Sequence, residues 1–136
     1  MSETLLPADV EVDAMRELEA RMPPLGMIGI AYGTKLQSGP RESVRLVSTG
    51  GATRDLVTDA HTLRIEAFAV SEGRAHRICA FAVAALQAAA RDGRIGDSTA
   101  YRAAVFSLPQ NLPHPNVPDR HRYVATLSLE LRRTTA

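Results

Sequence analysis

From Arg122 to Arg133 apolar and polar residues alternate. Tyr123, Ala125, Leu127, Leu129 and Leu131 fall on one side, and Arg122, Thr126, Ser128, Glu130 and Arg132 on the other. A period of two predicts a strand with one face in a core and the other polar. Burying each leucine there contributes roughly 1.5–3 kcal/mol before entropy is charged. His61–Val70 repeats the pattern, with Leu63, Ile65, Ala67 and Ala69 on one face and Arg64 and Glu66 on the other, joined by Phe68 and Val70. Val44–Ser48 and Thr99–Leu108 read as further strands, and Leu25–Tyr32 as a first, glycine-weakened one.

Two stretches switch to helical spacing. Val12, Met15, Leu18 and Met22 form one apolar stripe behind Pro7, Asp9, Glu11 and Asp13, a composition suited to a helix N-terminus, and Pro23-Pro24 ends it. Ser71 caps a longer, alanine-rich helix that runs to about Arg91 and stops at Asp92-Gly93. Ala75, Ile78, Cys79, Ala82, Leu86 and Ala89 make its buried face, and small side chains there allow close approach to a sheet. Phe81 and Val83 widen the apolar surface enough for a second partner.

Punctuation supplies the rest. Gln37-Ser38-Gly39-Pro40 and Gly50-Gly51 read as turns. Residues 1–6 read as a flexible end. Pro109, Pro113, Pro115 and Pro118 exclude helix and central strand, so 109–121 reads as a long projecting loop. The strands before and after it can pair antiparallel. The expectation is a single α+β domain over 1–136: a mixed, mostly antiparallel sheet of four to five strands with two helices packed on one face.

Composition narrows the function classes. At 136 residues the chain can bury roughly 70% of its unfolded surface and hold a core without staples. The net charge of +1 argues against a general nucleic-acid binder. Lys35 is the only lysine, a bias explained most simply by a GC-rich genome. The lone Cys79 suits a reducing cytosol. No secretory leader and no membrane span are expected.

Candidate chemistry is thin. His76 and Cys79 stand three apart on the long helix, short of the ligands zinc requires. His114, His121 and Asp119 flank the proline-rich segment and offer an acid–base or metal set, although solvated loop histidines are the ordinary meaning. Gly50-Gly51 with Thr49, Thr53 and Arg54 lacks the longer frame of a phosphate loop. Arg45, Arg64, Arg102, Arg122 and Arg132 recur on polar strand faces, where they are either solvated or turned to a partner. No catalytic residue, cofactor or metal is assigned.

The order of the pieces resembles the tail terminator (minor tail) proteins of long-tailed bacteriophages. The pieces are the N-terminal helix, Tyr32-Gly33-Thr34-Lys35, the Val44–Gly51 strand and turn, and Arg54-Asp55-Leu56-Val57. They continue with Leu63-Arg64-Ile65-Glu66-Ala67 entering an alanine-rich helix, Asn111-Leu112-Pro113, and Arg122-Tyr123 opening the last strand. Together they span about residues 8–133. The resemblance implies a homo-oligomer: a six-membered ring in the virion, at the head-proximal end of the tail, assembled in the host cytoplasm from subunits that can be monomeric when free. Such a ring caps the tail tube, stops polymerisation of the tail tube protein and meets the head–tail connector protein, while DNA passes through its lumen without sequence-specific binding. Interface candidates on this view are Arg45, Arg54, Arg64, Arg102, Leu112, His114, Arg122 and Arg132. The alternatives are a head completion or connector protein of the same virion, and a small enzyme using His114, His121 and Asp119.

Overall fold

The computed structural model describes residues 3–36 and 41–136. In chain order it has β1 (Leu5–Leu6), α1 (Val10–Arg21), β2 (Ala31–Gly33), β3 (Ser43–Thr53), β4 (Thr58–Ala69), α2 (Glu72–Arg91), β5 (Arg94–Ile95), β6 (Ser98–Asn111), β7 (His121–Arg132) and β8 (Thr134–Thr135). The main sheet has six strands in the order β2-β3-β4-β7-β6-β5. Among the described residues only β2 and β3 run parallel; the other pairings are antiparallel. The class is α+β, with six strands rather than four to five. Five of them overlap strands read from the sequence, β2 only through the end of Leu25–Tyr32; the sixth, β5, has two residues and is too short to leave a periodic signal.

Both helices pack on one face. Leu63, Ile65, Ala67 and Ala69 of β4 join Ala125, Leu127, Leu129 and Leu131 of β7 and Val44 and Leu46 of β3 beneath them. All six residues expected on the buried face of α2 lie in this core, joined by Val83, Ala85 and Ala90. The Ser71 side chain accepts from the Arg74 N–H and caps the helix. Arg74 then clamps Glu42 ahead of β3 with two hydrogen bonds of 2.7 and 3.1 Å.

Helix α1 differs from the expected stripe. Asp9 is its cap, accepting from the Val12 N–H at 3.2 Å, so Pro7 precedes the helix and does not open it. Its buried line is Val10, Ala14 and Leu18, with Asp13 beside them, while Val12 and Met15 are only half-buried. Asp13 shifts the face because it works as an anchor. Its carboxylate accepts from the Ser98 hydroxyl at 2.5 Å and the Asp97 N–H at 3.2 Å, tying α1 to the β5–β6 turn.

Leu25–Tyr32 is not a strand apart from its end. Pro23–Leu25 forms a 3₁₀ turn, and Gly26 and Gly29 sit at φ 87° and 78°, outside strand geometry. The expected turn at 37–40 lies outside the described residues. Gly50-Gly51 is a bulge inside β3, with the register shifting between Ser48 and Gly51. The hairpin turn comes later, at 54–57, where the Asp55 carboxylate accepts from the N–H groups of Val57 and Thr58 and is thereby held below the usual carboxylate range. Leu5–Leu6, read from the sequence as part of a flexible end, pairs with β8.

The proline-rich segment is also different. β6 runs through Pro109 to Asn111, leaving 112–120 as the loop. Pro109 is tolerated because this half of β6 has no described strand on its outer side and its pairing with β7 is bulged. The loop does not project. It folds back over the sheet face opposite the helices, burying Val117 and Phe68. The Arg120 guanidinium lies 5.2 Å from the Phe68 ring centroid, and His114 packs on the same ring at 6.3 Å.

Candidate functional site

Strand alternation sends Glu66 to the face opposite the helices, flanked by Arg45 on β3 and by Val124, beside Arg122, on β7. The carboxylate is fully buried. It accepts from Arg45 at 3.2 Å, Arg64 at 2.6 Å and Arg122 at 3.0 Å. Arg122 also donates to the Leu112 carbonyl at 2.6 Å, holding the start of the loop. Three of the expected interface arginines are therefore joined in an internal cluster that fastens three strands and the loop. One buried acid gathers them because a buried carboxylate requires several donors.

The other candidates are dispersed. Arg54 pairs with Glu130 at 3.0 Å, and Arg132 reaches the Tyr101 hydroxyl at 3.4 Å. Arg102 is exposed on β6, opposite Glu130 in the register. Leu112 is exposed at the loop's start. His76 is exposed, edge-on to Tyr123, whereas Cys79 is buried in the core with its thiol pushed up to about 12 by burial. The His114 Nδ1 accepts from the Asn116 N–H at 3.1 Å, while His121 and Asp119 are exposed. Among the described residues no group of three or more His, Cys, Asp or Glu could hold a metal ion.

Two concavities are formed by other residues. The first, of about 400 Å³, lies between the N-terminus of α1, the Gly50-Gly51 bulge and the ends of β4 and β7. Asp59, His61 and Arg133 line it, Asp59 and His61 both buried. Arg133 donates twice to Asp59 Oδ1, at 3.1 and 2.9 Å. The Glu11 carboxylate accepts from the Ser48 N–H at 2.8 Å beside the bulge. Burial pushes His61 below its usual pKa and Arg133 adds to the effect, against the pull of Asp59 and Asp13. His61 and Asp59 stand at inward positions of β4, in phase with Leu63. That phase is the signal in the sequence that marks them as buried.

The second is a groove of about 520 Å³ between the C-terminal half of α2 and the end of α1. Ala20, Pro24, Leu25, Phe81, Ala84, Ala85 and Ala88 make its walls, with Arg21 and Arg91 at the rim. It is the surface that the excess apolar width of α2 leaves open. None of His114, His121 and Asp119 lines either concavity.

Exposed large apolar side chains concentrate in two groups. Leu25, Ile28 and Leu36 flank β2 in the chain, and Tyr101, Phe106, Leu108 and Leu112 lie along β6 and just past it, while Leu6, Leu56 and Val70 stand apart. In the six-strand order β2 is one edge, and β6 lies at the other with only β5 beyond it. Ile28, Phe106 and Leu108 are the most exposed of these two groups, at 70%, 66% and 71%. No protein-family model matches the chain, and comparison with curated proteins gives no match. No helix among the described residues is long and apolar enough to cross a membrane.

Proposed function

We propose that the protein is a structural virion subunit that closes into a ring on the tail tube of a long-tailed bacteriophage, ends tube polymerisation and joins the tail to the head–tail connector. The observation that carries this reading is the division of exposed apolar side chains between the β2 edge of the sheet and the β6 end. Two different apolar groups at different edges of one sheet suit a heterologous contact, and heterologous contacts make rings when their rotation closes. The ordered sequence resemblance supplies the tail and the six-fold count. The internal pairing of Arg45, Arg64 and Arg122 leaves apolar contacts, rather than those arginines, to hold neighbours together.

Deleting the gene in the phage tests the assignment. Loss of the terminator gives tails of abnormal length, unattached to filled heads. Free tails of correct length would instead identify a head-side completion protein.

A further inference from the structure

Beyond Tyr101, β6 has β7 on one side and no described strand on the other. An open edge of this length normally invites a second strand. This one is poorly built for it. Its register shifts at Ala100/Arg102, Val105/Ser107 and Ser107/Gln110, and Pro109 has no N–H to offer. A continuous ladder with another copy cannot form along it. The edge therefore has side chains to offer instead of backbone, and Phe106 and Leu108 are the large apolar ones it exposes most.

The same chain carries a concave apolar surface. The groove between α1 and α2 is lined by Ala84, Ala85 and Ala88, small enough to admit large side chains, together with Leu25 and Phe81. The charges also match. Arg91 at the rim makes no ion pair among the described residues. Glu72, which accepts from the Asn111 side chain at 2.9 Å at the end of β6, has no cationic partner among them either. Arg21 is already engaged by Glu17 and Asp92, at 2.5 and 2.7 Å, so Arg91 is the rim charge left to bind an acid.

Resting on the ring reading above, we propose that the α1–α2 groove receives the Phe106–Leu108 segment of a neighbouring copy, with Glu72 of that copy supplying the acid for Arg91. The contact is head-to-tail: each subunit gives the segment on one side and accepts one on the other. It names which two surfaces meet and excludes a symmetric β6-to-β6 dimer.

Cysteine pairing tests it directly on the full chain. Ala88→Cys puts a thiol in the groove and Leu108→Cys puts one on the segment. The native Cys79 is buried and poorly ionised, so it does not compete. The two variants are mixed at high concentration with tail tubes present, oxidised mildly and resolved without reductant. The mixed dimer, one chain of each variant, is expected to exceed either self-dimer by at least about tenfold, since only surfaces in contact bring Cβ atoms within bridging distance. A dominant Leu108→Cys self-dimer, or a mixed dimer only about twice each self-dimer as random collision gives, overturns the pairing. The ring reading has its own readout, binding of the unaltered protein to tube ends. End binding without mixed cross-links sinks the pairing alone; no end binding sinks the ring reading whatever the cross-links show.

Discussion

Glu66 and Arg122 meet at 3.0 Å across adjacent strands, on a carboxylate with no exposed surface. Arg45 and Arg64 complete its shell. Glu66→Ala would leave these guanidinium groups facing one another without their acid. Removing one partner of a buried charge cluster costs about 3–5 kcal/mol. Urea unfolding at neutral pH should show a loss in that range. Arg45→Ala, which leaves two donors, should cost less. A Glu66→Ala loss below about 1 kcal/mol, the range of an exposed pair, would contradict the structural role given to the cluster.

Gly50 and Gly51 make a sharper comparison. Both have positive φ, at 99° and 130°. A Cβ on Gly50 meets nothing within 4 Å, whereas one on Gly51 would lie 2.1 Å from the Ala60 carbonyl oxygen across the ladder. Gly50→Ala should cost about 1 kcal/mol for backbone strain alone. Gly51→Ala must also push β3 off β4, so its thermal midpoint should fall further. Equal losses would contradict the bulge geometry.

His61 links stability to acidity. Its pKa is depressed in the folded chain by burial and by Arg133, with Asp59 and Asp13 opposing. Below the unfolded value of about 6.5, the unfolded chain takes up a proton that the native chain resists. Stability is therefore complete above that pH, declines as pH falls below it, and stops declining once the folded pKa is passed. Urea midpoints between about pH 7.5 and pH 5.5 should drop more for the unaltered protein than for His61→Gln. Parallel declines would show that His61 does not carry the effect.

Phe106 and Leu108 should matter to association and not to folding. Both are largely exposed, and surface changes of this kind usually shift stability by no more than about 0.5 kcal/mol. Replacing both with Asp should leave the thermal midpoint nearly unchanged and abolish binding to tube ends, scored by pelleting with the tubes. A double variant that still binds would remove β6 from the interface.

Much of this fold was legible because the long strands and α2 have clean periods. β4, β7 and α2 could be read from Leu63–Ala69, Leu127–Leu131 and Ala75–Ala89 because each side chain serves the one core that the period implies. β2 was legible only as part of a stretch, Leu25–Tyr32, that begins too early, and β5 was not legible, since elements of three and two residues have no period. α1 misled because its buried line includes Asp13, a polar anchor satisfied only by Ser98 and Asp97 far along the chain. The proline count suggested a projecting loop, yet the loop is held down by Arg120, which donates to the Arg41 carbonyl at 3.0 Å and stacks on Phe68. Those are contacts between distant residues. The arginines were visible as a set on polar faces, but their convergence on Glu66 depends on strand order, which no local pattern carries. The α1–α2 groove was foreshadowed only by Phe81 widening the apolar side of α2.

Electron microscopy of purified tail tubes mixed with this protein, with averaging of the head-proximal ends, bears most directly on the proposed role. A single six-fold ring seated at that end, with no further addition of tube protein to capped tubes, is the expected image. Bare ends at saturating protein, or tubes that go on lengthening past the bound subunits, would contradict it.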